Sequence, residues 1–382
     1  MLMNIALPIN RKNFLIPFIL LFLILSTFAP SSFAAAAELE KKPTVTVIAT
    51  GGTIGSLGTS RTSYLSYGAG RITIEDMVKY IEPEVSTYAN VKTVQFGNKG
   101  SGSYTIEDYY ALTLAIEEAL ETSDGVVVTT GTDTMEEFSY WFDLTVQSQK
   151  PVVLTGAMRP WGSTTGEVTI SGDGPLNLLN SIKLAASQET ACFGTVLMLN
   201  DEIFAARDVT KTNTYRTDTF QGGEYGLLGY IDGDNINIER APARVLSCDN
   251  KEEWNTPFDL STVKAEDLPR VEVVYTYQGA GGEAIKSFTD AGVKGIVTAG
   301  TGAGGASPLQ SQARTQAVEQ GVVFVSTSRT GSGEVYSGQG SIIPAGDLLP
   351  QKARLLLLLG LTFSDDPAEI NEWFKSIGNP EF

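Results

Sequence analysis

Four short runs of mostly β-branched and small apolar residues recur along the chain, and each leads into a turn that contains glycine. They occupy residues 44–50, 125–130, 151–155 and 294–299. None of these runs alternates apolar residues with charged ones, as a strand with one face in water often does. Strands without such alternation are typical of parallel sheets, in which helices cover both faces. The four runs therefore predict buried parallel strands.

Helical patterns lie between the predicted strands. The segment 105–122 is amphipathic, with apolar residues at helical spacing. Another helix is predicted to begin at 173–175, where Pro175 loses nothing because the first N–H groups of a helix have no partner within it. Alternating strands and helices predict an α/β fold.

The chain has 382 residues, which exceeds one ordinary hydrophobic core and predicts two domains. A polar stretch at 240–269 carries three prolines and is typical of a linker. We predict a larger domain at 43–239 and a smaller one at 270–382. In the smaller domain the alternation restarts with a strand at 271–277, and helices at 353–361 and 367–377 close the chain.

Residues 1–37 have the three parts of a secretory signal peptide. Arg11 and Lys12 precede an apolar run over 14–29, and four alanines follow at 34–37. A retained membrane anchor is the alternative, since the apolar run approaches the minimum length of a span. The small residues favour cleavage, so we expect a secreted or periplasmic protein without stable membrane association after cleavage.

The formal charge of the chain is −17. A chain this acidic repels phosphate backbones, which argues against nucleic-acid partners, and solubility outside the cell is the simpler reason for the charge. Cys192 and Cys248 form at most one disulfide, and their positions in the sequence do not indicate that they meet.

The chain contains no histidine. This excludes Ser-His-Asp and Cys-His catalysis, and it removes the commonest protein ligand of zinc. Any hydrolytic base must therefore come from lysine, tyrosine, aspartate or glutamate.

Thr53 follows the first predicted strand directly, in Ala-Thr-Gly-Gly-Thr-Ile-Gly-Ser at 49–56. Loops at the carboxyl ends of parallel strands line the ligand crevice of an open sheet. Glycines let the backbone approach a ligand, and the adjacent hydroxyl suits attack on a carbonyl whose oxyanion the backbone N–H groups hold. A tight turn capped by Thr53 is the structural alternative. A phosphate-binding loop is a weaker one, because no Gly-Lys-Ser/Thr follows.

Thr132 and Asp133 follow the second predicted strand, in Gly-Thr-Asp-Thr-Met-Glu-Glu at 131–137. Both residue types are good helix N-caps, and glutamates suit a first helical turn, so capping is one interpretation. The functional interpretation is a hydroxyl beside a carboxylate that binds an ammonium group or assists proton transfer.

Lys211 lies in Asp-Val-Thr-Lys-Thr-Asn at 208–213, a segment rich in hydroxyls. A solvated surface charge is the ordinary interpretation of such a lysine. If folding brings Lys211 to Thr132 and Asp133, the amine is placed to polarise the hydroxyl and take its proton.

Together these segments resemble the asparaginase family, in its exported bacterial branch. The segments at 49–54 and 131–137 are similar to the two signatures of the family. Thr-Gly-Ala-Met-Arg-Pro at 155–160, Asp-Gly-Pro at 173–175 and the segment at 208–213 match further blocks in the same order. The resemblance extends from about residue 43 to the C-terminus.

The resemblance implies a two-domain α/β fold, with a larger N-terminal parallel-sheet domain of flavodoxin-like type and a smaller C-terminal α/β domain. It also implies a homotetramer whose active sites lie at subunit interfaces. No metal and no organic cofactor are expected, because the acyl transfer needs only hydroxyls, a carboxylate, an amine and backbone donors.

The resemblance implies a role for each matched residue. Thr53 would be the nucleophile, with Tyr67 as the loop tyrosine beside it and Tyr64 as an alternative alignment for that tyrosine. The other expected catalytic residues are Thr132, Asp133 and Lys211.

The expected substrate-binding residues are Gly52, Ser103, Thr132 and Asp133. Of these, Ser103 aligns with the serine that grips the α-carboxylate of the substrate, and Asp133 would bind its α-amino group.

Several positions depart from the family pattern. Tyr104 stands where Gln or Glu is common. Gly305 stands where the neighbouring subunit supplies an asparagine, and Glu334 lies near the position of a glutamate from that subunit without matching it. The two cysteines do not fall where exported relatives place a disulfide.

We therefore predict an enzyme that hydrolyses L-asparagine to L-aspartate and ammonia through a β-aspartyl acyl-enzyme. A broad-specificity glutaminase-asparaginase, which also accepts L-glutamine, is the alternative among enzymes. A non-catalytic exported amino-acid-binding protein is the alternative from another class, but such a protein has no use for hydroxyls at three separate strand ends.

Overall fold

The computed structural model describes residues 41–68, 70–338 and 340–382, and the predicted signal peptide at 1–37 lies outside them. Residues 42–382 form one compact unit. Among the described residues, no helix is both long enough and apolar enough to cross a membrane.

An eight-stranded sheet is the centre of the larger domain. In spatial order its strands are β13 (Asn235–Ile238), β12 (Gly229–Asp232), β9 (Glu202–Ala205), β8 (Thr195–Leu199), β6 (Val152–Thr155), β5 (Gly125–Thr129), β1 (Thr44–Gly51) and β4 (Asn90–Lys99). The strands from β4 to β8 in this order run parallel, and β9, β12 and β13 continue the sheet antiparallel.

Helices cover both faces of the parallel strands. They are α1 (Ile74–Tyr80), α2 (Ile106–Glu121), α3 (Met135–Thr145) and α4 (Gly174–Ser187). Along β5, Val126 and Val128 pack in the core that contains α2 and α3, whereas Val127 packs in the core that contains α1 and α4. Successive strand residues point to opposite faces, so burial of both faces explains why these strands need apolar residues throughout.

The smaller domain contains a second parallel sheet with its own helices. Its strands are β14 (Val271–Tyr275), β15 (Gly295–Gly300), β16 (Val323–Ser328) and β17 (Ile343–Pro344), and its helices are α6 (Glu283–Asp290), α7 (Pro308–Glu319), α8 (Pro350–Phe363) and α9 (Pro367–Lys375). The apolar residues of α8 pack between this sheet and α3. This helix therefore joins the cores of the two domains.

Two small sheets complete the fold. One contains β2 (Leu57–Gly58), β3 (Tyr67–Gly68) and β7 (Gly162–Ser163), and the other contains β10 (Thr210–Lys211) and β11 (Phe220–Gln221). Both carry residues that were singled out from the sequence, since β3 begins with Tyr67 and β10 ends with Lys211.

The segment 240–269 packs closely on the larger domain. It contains α5 (Lys251–Trp254), and the Arg244 guanidinium lies 3.8 Å from the ring centre of Trp254, with both side chains buried. Cys192 and Cys248 form a disulfide, with their Cα atoms 5.7 Å apart. The boundaries at 43–239 and 270–382 stay a prediction.

The predicted fold class is confirmed, with a large parallel-sheet domain followed by a smaller α/β domain. The four predicted strands are β1, β5, β6 and β15. The helix predicted at 173–175 is α4, with Asp173 at its N-cap position and proline in its first turn. Helix α8 begins at Pro350, earlier than the predicted residue 353.

Candidate active site

The carboxyl ends of β1 and β5 meet at their glycine turns. β1 lies directly beside β5 in the sheet, although α1, β4 and α2 separate them in sequence. Gly52 has φ of 81°, and a methyl group on it would lie 2.3 Å from the Gly131 nitrogen. Only glycine permits this conformation and this approach, so the two turns pack backbone against backbone.

The hydroxyl of Thr53 lies against the phenol of Tyr67. Their oxygen atoms are 2.9 Å apart, and we call these two residues the hydroxyl pair. Thr53 is the first residue of a short 3₁₀ turn whose N-cap position is Gly52, and its hydroxyl bonds to Tyr67. The alternative in which Thr53 only caps a turn is therefore wrong.

Tyr67, and not Tyr64, is the tyrosine that contacts Thr53. The Tyr64 hydroxyl instead donates to the Ile170 carbonyl at 2.9 Å, and the Arg159 guanidinium lies 5.1 Å from the centre of its ring. Tyr64 thus fastens the loop that carries Tyr67 to the segment that precedes α4.

Lys211 meets Thr132 and Asp133 although they are far apart in sequence. Its Nζ donates to the Thr132 hydroxyl at 2.9 Å and to an Asp133 carboxylate oxygen at 2.7 Å, and we call these three residues the lysine cluster. The Lys211 side chain is 14% exposed, whereas that of Asp133 is 84% exposed. The interpretation of Lys211 as a solvated surface charge is therefore wrong.

Helix capping does not explain Thr132 and Asp133. The N-cap position of α3 is Thr134, and no side-chain capping bond is present there. The side chains of Thr132 and Asp133 point to Lys211 instead, which leaves one face of the Asp133 carboxylate open to solvent.

Glu136 is a residue of the site that sequence reasoning placed in the first turn of a helix. It is 7% exposed, and one carboxylate oxygen accepts the backbone N–H of Lys211 at 2.5 Å. The other oxygen accepts the side-chain amide of Gln351 at 2.5 Å. Its sequence signal, an acid in a first helical turn, is too common to have indicated this contact.

Ser103 lies outside these contacts. Ser103 is exposed at the end of a 3₁₀ turn, and within the described residues its side chain makes no hydrogen bond with the hydroxyl pair or the lysine cluster. The neighbouring Ser101 is the buried one, and its hydroxyl accepts the Thr134 backbone N–H at 3.3 Å beside Gly131. Ser101 was not singled out from the sequence.

Tyr104 is tied to the interior side of the β1 turn. Its hydroxyl donates to the Thr50 carbonyl, and its ring packs edge-on against Phe138. Burial raises the pKa of this phenol. Tyr104 therefore supports the strand end that carries Thr53.

Asp173 holds the turn that contains Met158 and Arg159. Its carboxylate accepts the backbone N–H groups of Met158 at 2.8 Å and Arg159 at 3.0 Å. Burial raises the pKa of this carboxyl, and the two N–H donors counteract the rise. The segments 155–160 and 173–175, which both resemble family blocks, therefore contact each other in the structure.

A cleft of about 500 Å³ opens at Tyr67 and the lysine cluster. It is lined by Tyr64, Tyr67, Thr132, Asp133, Glu136, Met158, Lys211 and residues 212–215. Among the described residues, no cluster of three or more His, Cys, Asp or Glu side chains is arranged to hold a metal ion. The lining offers hydroxyls, one amine and two carboxylates, and these groups suit acyl transfer to a hydroxyl.

Gly305 and Glu334 belong to the smaller domain and take no part in the cleft just described. Gly305 closes a tight turn with Thr301, in which the two residues exchange backbone hydrogen bonds of 2.8 and 2.9 Å. Glu334 is exposed.

Comparison with known proteins gives a consistent result for both domains. Residues 44–244 match the family model described as asparaginase, N-terminal, and residues 270–374 match that of the glutaminase/asparaginase C-terminal domain. The chain is 39% identical over 350 residues to the probable periplasmic L-asparaginase of Haemophilus influenzae, covering 90% of this chain and 95% of the relative.

Two further proteins are similar to this chain over most of its length. The glutaminase-asparaginase of Acinetobacter glutaminasificans is 36% identical over 342 residues, covering 87% of this chain and 99% of the relative. The crystal structure of the probable cytoplasmic L-asparaginase of Campylobacter jejuni has a TM-score of 0.79 at 36% identity, covering 87% of this chain and 99% of that one.

Proposed function

The chain belongs to the asparaginase family, and we propose that it hydrolyses L-asparagine to L-aspartate and ammonia with Thr53 as its nucleophile. It is an amidohydrolase. One observation carries the assignment of residues. Thr53 follows β1, Thr132 and Asp133 follow the neighbouring strand β5, and the two turns touch at Gly52 and Gly131, while Tyr67 and Lys211 bond to these residues from other segments.

In the proposed reaction, the Thr53 oxygen attacks the side-chain amide carbon of asparagine. A C–O bond forms, the carbonyl electron pair moves onto oxygen, and the backbone N–H of Thr53 would hold that oxyanion, since the N–H of Gly52 donates to the Lys99 carbonyl at 2.9 Å. The hydroxyl proton passes to the leaving nitrogen, the C–N bond breaks, and ammonia departs. Water then attacks the β-aspartyl ester, which releases L-aspartate and restores the Thr53 hydroxyl.

The lysine cluster supplies the charges around this reaction. The ammonium of Lys211 bonds the Thr132 hydroxyl and the inner side of Asp133, and the outer side of Asp133 is free to take the α-amino group of the substrate. The Ser103 hydroxyl would reach the α-carboxylate in the bound state. These assignments are proposals for this chain.

Broad specificity is the second candidate, because a relative that is 36% identical is a glutaminase-asparaginase. L-Glutamine differs from L-asparagine by one methylene, and one methylene changes binding by about 10- to 200-fold at most. An ammonia assay with both amino acids at equal concentration measures this preference. We expect faster release from L-asparagine, and release from neither amino acid would contradict the proposed function.

We also propose export and assembly. The leader-like sequence at 1–37 and the periplasmic relative support export, whereas the structural relative is called cytoplasmic. N-terminal sequencing of protein recovered outside the cytoplasm tests this, with cleavage expected after the alanines at 34–37. Light scattering tests the proposed homotetramer, and a monomer of full activity would contradict sites that lie at subunit interfaces.

A further inference from the structure

The first turn of α8 reaches from the smaller domain to the segment that precedes Lys211. Lys352 has no exposed surface. Its ammonium donates to the carbonyls of Ala206 at 2.8 Å, Arg207 at 2.6 Å and Val209 at 2.6 Å. An ammonium has three N–H donors, so each of them has a partner. Lys352 thus gathers three carbonyls of the turn that leads into β10.

Glu136 connects the same helix to Lys211 from the other side. Its carboxylate accepts the backbone N–H of Lys211 and the side-chain amide of Gln351, each at 2.5 Å. Glu136 follows Thr132 and Asp133 in the same segment. Both ends of Lys211, its backbone N–H and its ammonium, are therefore fixed to the segment that runs from the end of β5 into the first turn of α3.

This network places an ammonium in the interior, where Arg207, Asp208 and Asp143 are its charged neighbours besides Glu136. Burial lowers the pKa of Lys352 to about 8, and the carboxylates of Glu136 and Asp208 oppose that shift. An apolar side chain would fill the same space without the cost of desolvating an ammonium. What the ammonium adds is a fixed geometry for three carbonyls close to Lys211, and hydrogen bonds to a charged donor are the strong ones.

We propose that Lys352 and Glu136 are positioning residues for Lys211, so that α8 of the smaller domain takes part in the reaction of the larger one. The inference rests on the proposed role of Lys211 in hydrolysis. The reaction depends on this placement, because a displacement of about 1 Å in a catalytic group costs up to about 100-fold in rate.

The first test replaces Glu136 by methionine, which has a similar length and no carboxylate. The control is Glu117→Met, because Glu117 also accepts a backbone N–H at 2.5 Å, from Gln147, and lines a different cleft from that of Lys211. We expect Glu136→Met to lower kcat by about 10- to 100-fold while KM changes by less than about threefold. Glu117→Met is expected to keep both constants.

The pH profile of the reaction distinguishes a displacement of Lys211 from a general loss of packing. A shift of Lys211 relative to Thr132 and Asp133 changes the electrostatic surroundings of all three groups. The pKa values that bound the profile of kcat/KM should therefore move by about half a unit or more in Glu136→Met and stay in place in the control. Glu136→Gln retains an oxygen for the Lys211 N–H, and the Gln351 amide can rotate to accept, so this variant should recover most of the rate.

The second test replaces Lys352 by methionine, with Lys183→Met as its control. Lys183 is also buried and donates to a carbonyl, that of Gly233 at 2.6 Å, on the opposite face of the larger sheet from α8. Lys352→Met should share the kcat and pH effects of Glu136→Met, and Lys183→Met should show neither. If Lys352→Met does not fold, Glu136→Met, Glu136→Gln and Glu117→Met decide the question, since they leave Lys352 in place.

The inference is overturned if folded Glu136→Met keeps kcat and the pH profile of the unchanged protein within about twofold. This failure differs from failure of the proposed function. If the unchanged protein releases no ammonia, the proposed function is wrong and the inference falls with it. If the unchanged protein is active, Thr53→Ala is inactive and Glu136→Met is unaffected, only the inference is wrong.

Discussion

Tyr67 of the hydroxyl pair and the three residues of the lysine cluster line the same cleft, but the pair and the cluster are held by two kinds of structure. Thr53 and Tyr67 are 14 positions apart, and Tyr67 is 38% exposed on a two-residue strand. Lys211 is 78 and 79 positions from its two partners, and Glu136 and Lys352 hold its segment from within the core. One half of the site is local and exposed, whereas the other is distant in sequence and internally braced.

The difference indicates that the exposed half of the site admits the substrate, whereas the internally braced half supplies charges at fixed positions. A substrate has to enter before Thr53 is covered, and a tyrosine on an exposed loop permits entry. The charges of the lysine cluster act best when they are already in place, because a fixed environment needs no rearrangement during the reaction. Substitutions in the two halves should therefore have different kinetic consequences.

The largest effect is expected from Thr53→Ala, which removes the attacking oxygen. Turnover should fall by about 10³-fold or more, while the melting temperature stays close to that of the unchanged protein. Steady-state ammonia release and thermal unfolding measure the two quantities. Thr59→Ala, on the exposed loop, is the control. Substantial turnover by Thr53→Ala would mean that the nucleophile is the Thr132 hydroxyl of the lysine cluster and not that of Thr53.

Lys211→Met should have the next largest effect, about a 10²-fold loss of kcat, because it removes the amine that polarises Thr132. Lys286→Met is a suitable control, since Lys286 pairs with Asp290 at 3.1 Å on the exposed face of α6. Rate measurement in substrate excess tests the expectation. Unchanged kcat in Lys211→Met would mean that the cluster has no part in proton transfer.

Asp133→Asn should raise KM by about tenfold and also slow turnover, because it weakens both the substrate ammonium contact and the bond to Lys211. This mixed result distinguishes it from Glu136→Met, for which KM is expected to change little. Initial rates over a range of L-asparagine concentrations separate the two constants. A change in kcat alone would remove Asp133 from the α-amino contact.

The smallest effect is expected from Tyr64→Phe, which removes only the hydrogen bond from the loop to Ile170. That bond contributes about 1 kcal/mol, so KM should rise by no more than about fivefold. Tyr80→Phe, in which the ring stays against Trp161, is the control. A loss as large as that of Lys211→Met would show that the exposed loop is braced as firmly as the lysine cluster.

Much of the scaffold was predictable because local sequence and burial agree. The runs at β1, β5, β6 and β15 contain the residues that a strand covered on both faces needs, and the structure has strands there. The resemblance to a family also indicated Tyr67 ahead of Tyr64. These conclusions depend on short segments, whose properties a reader of the sequence sees directly.

Other contacts could not be predicted from the sequence. The Cys192–Cys248 disulfide joins residues 56 positions apart. In the sequence Glu136 looks only like an acid in a first helical turn, and nothing in it distinguishes the buried Ser101 from the exposed Ser103. Each of these assignments depends on which side chains become neighbours, which the spacing of residues within one segment does not determine.

The sequence by itself determined the parallel strands, the absence of histidine chemistry and the order of the reactive segments, because these follow from residue type and local pattern. Only the tertiary structure decided that β1 lies beside β5, that Lys211 reaches Thr132 and Asp133, and that α8 braces Lys211 from the second domain. The physical reason is that strand order and domain packing bring together residues on distant segments, and burial then converts a common lysine into a fixed charge.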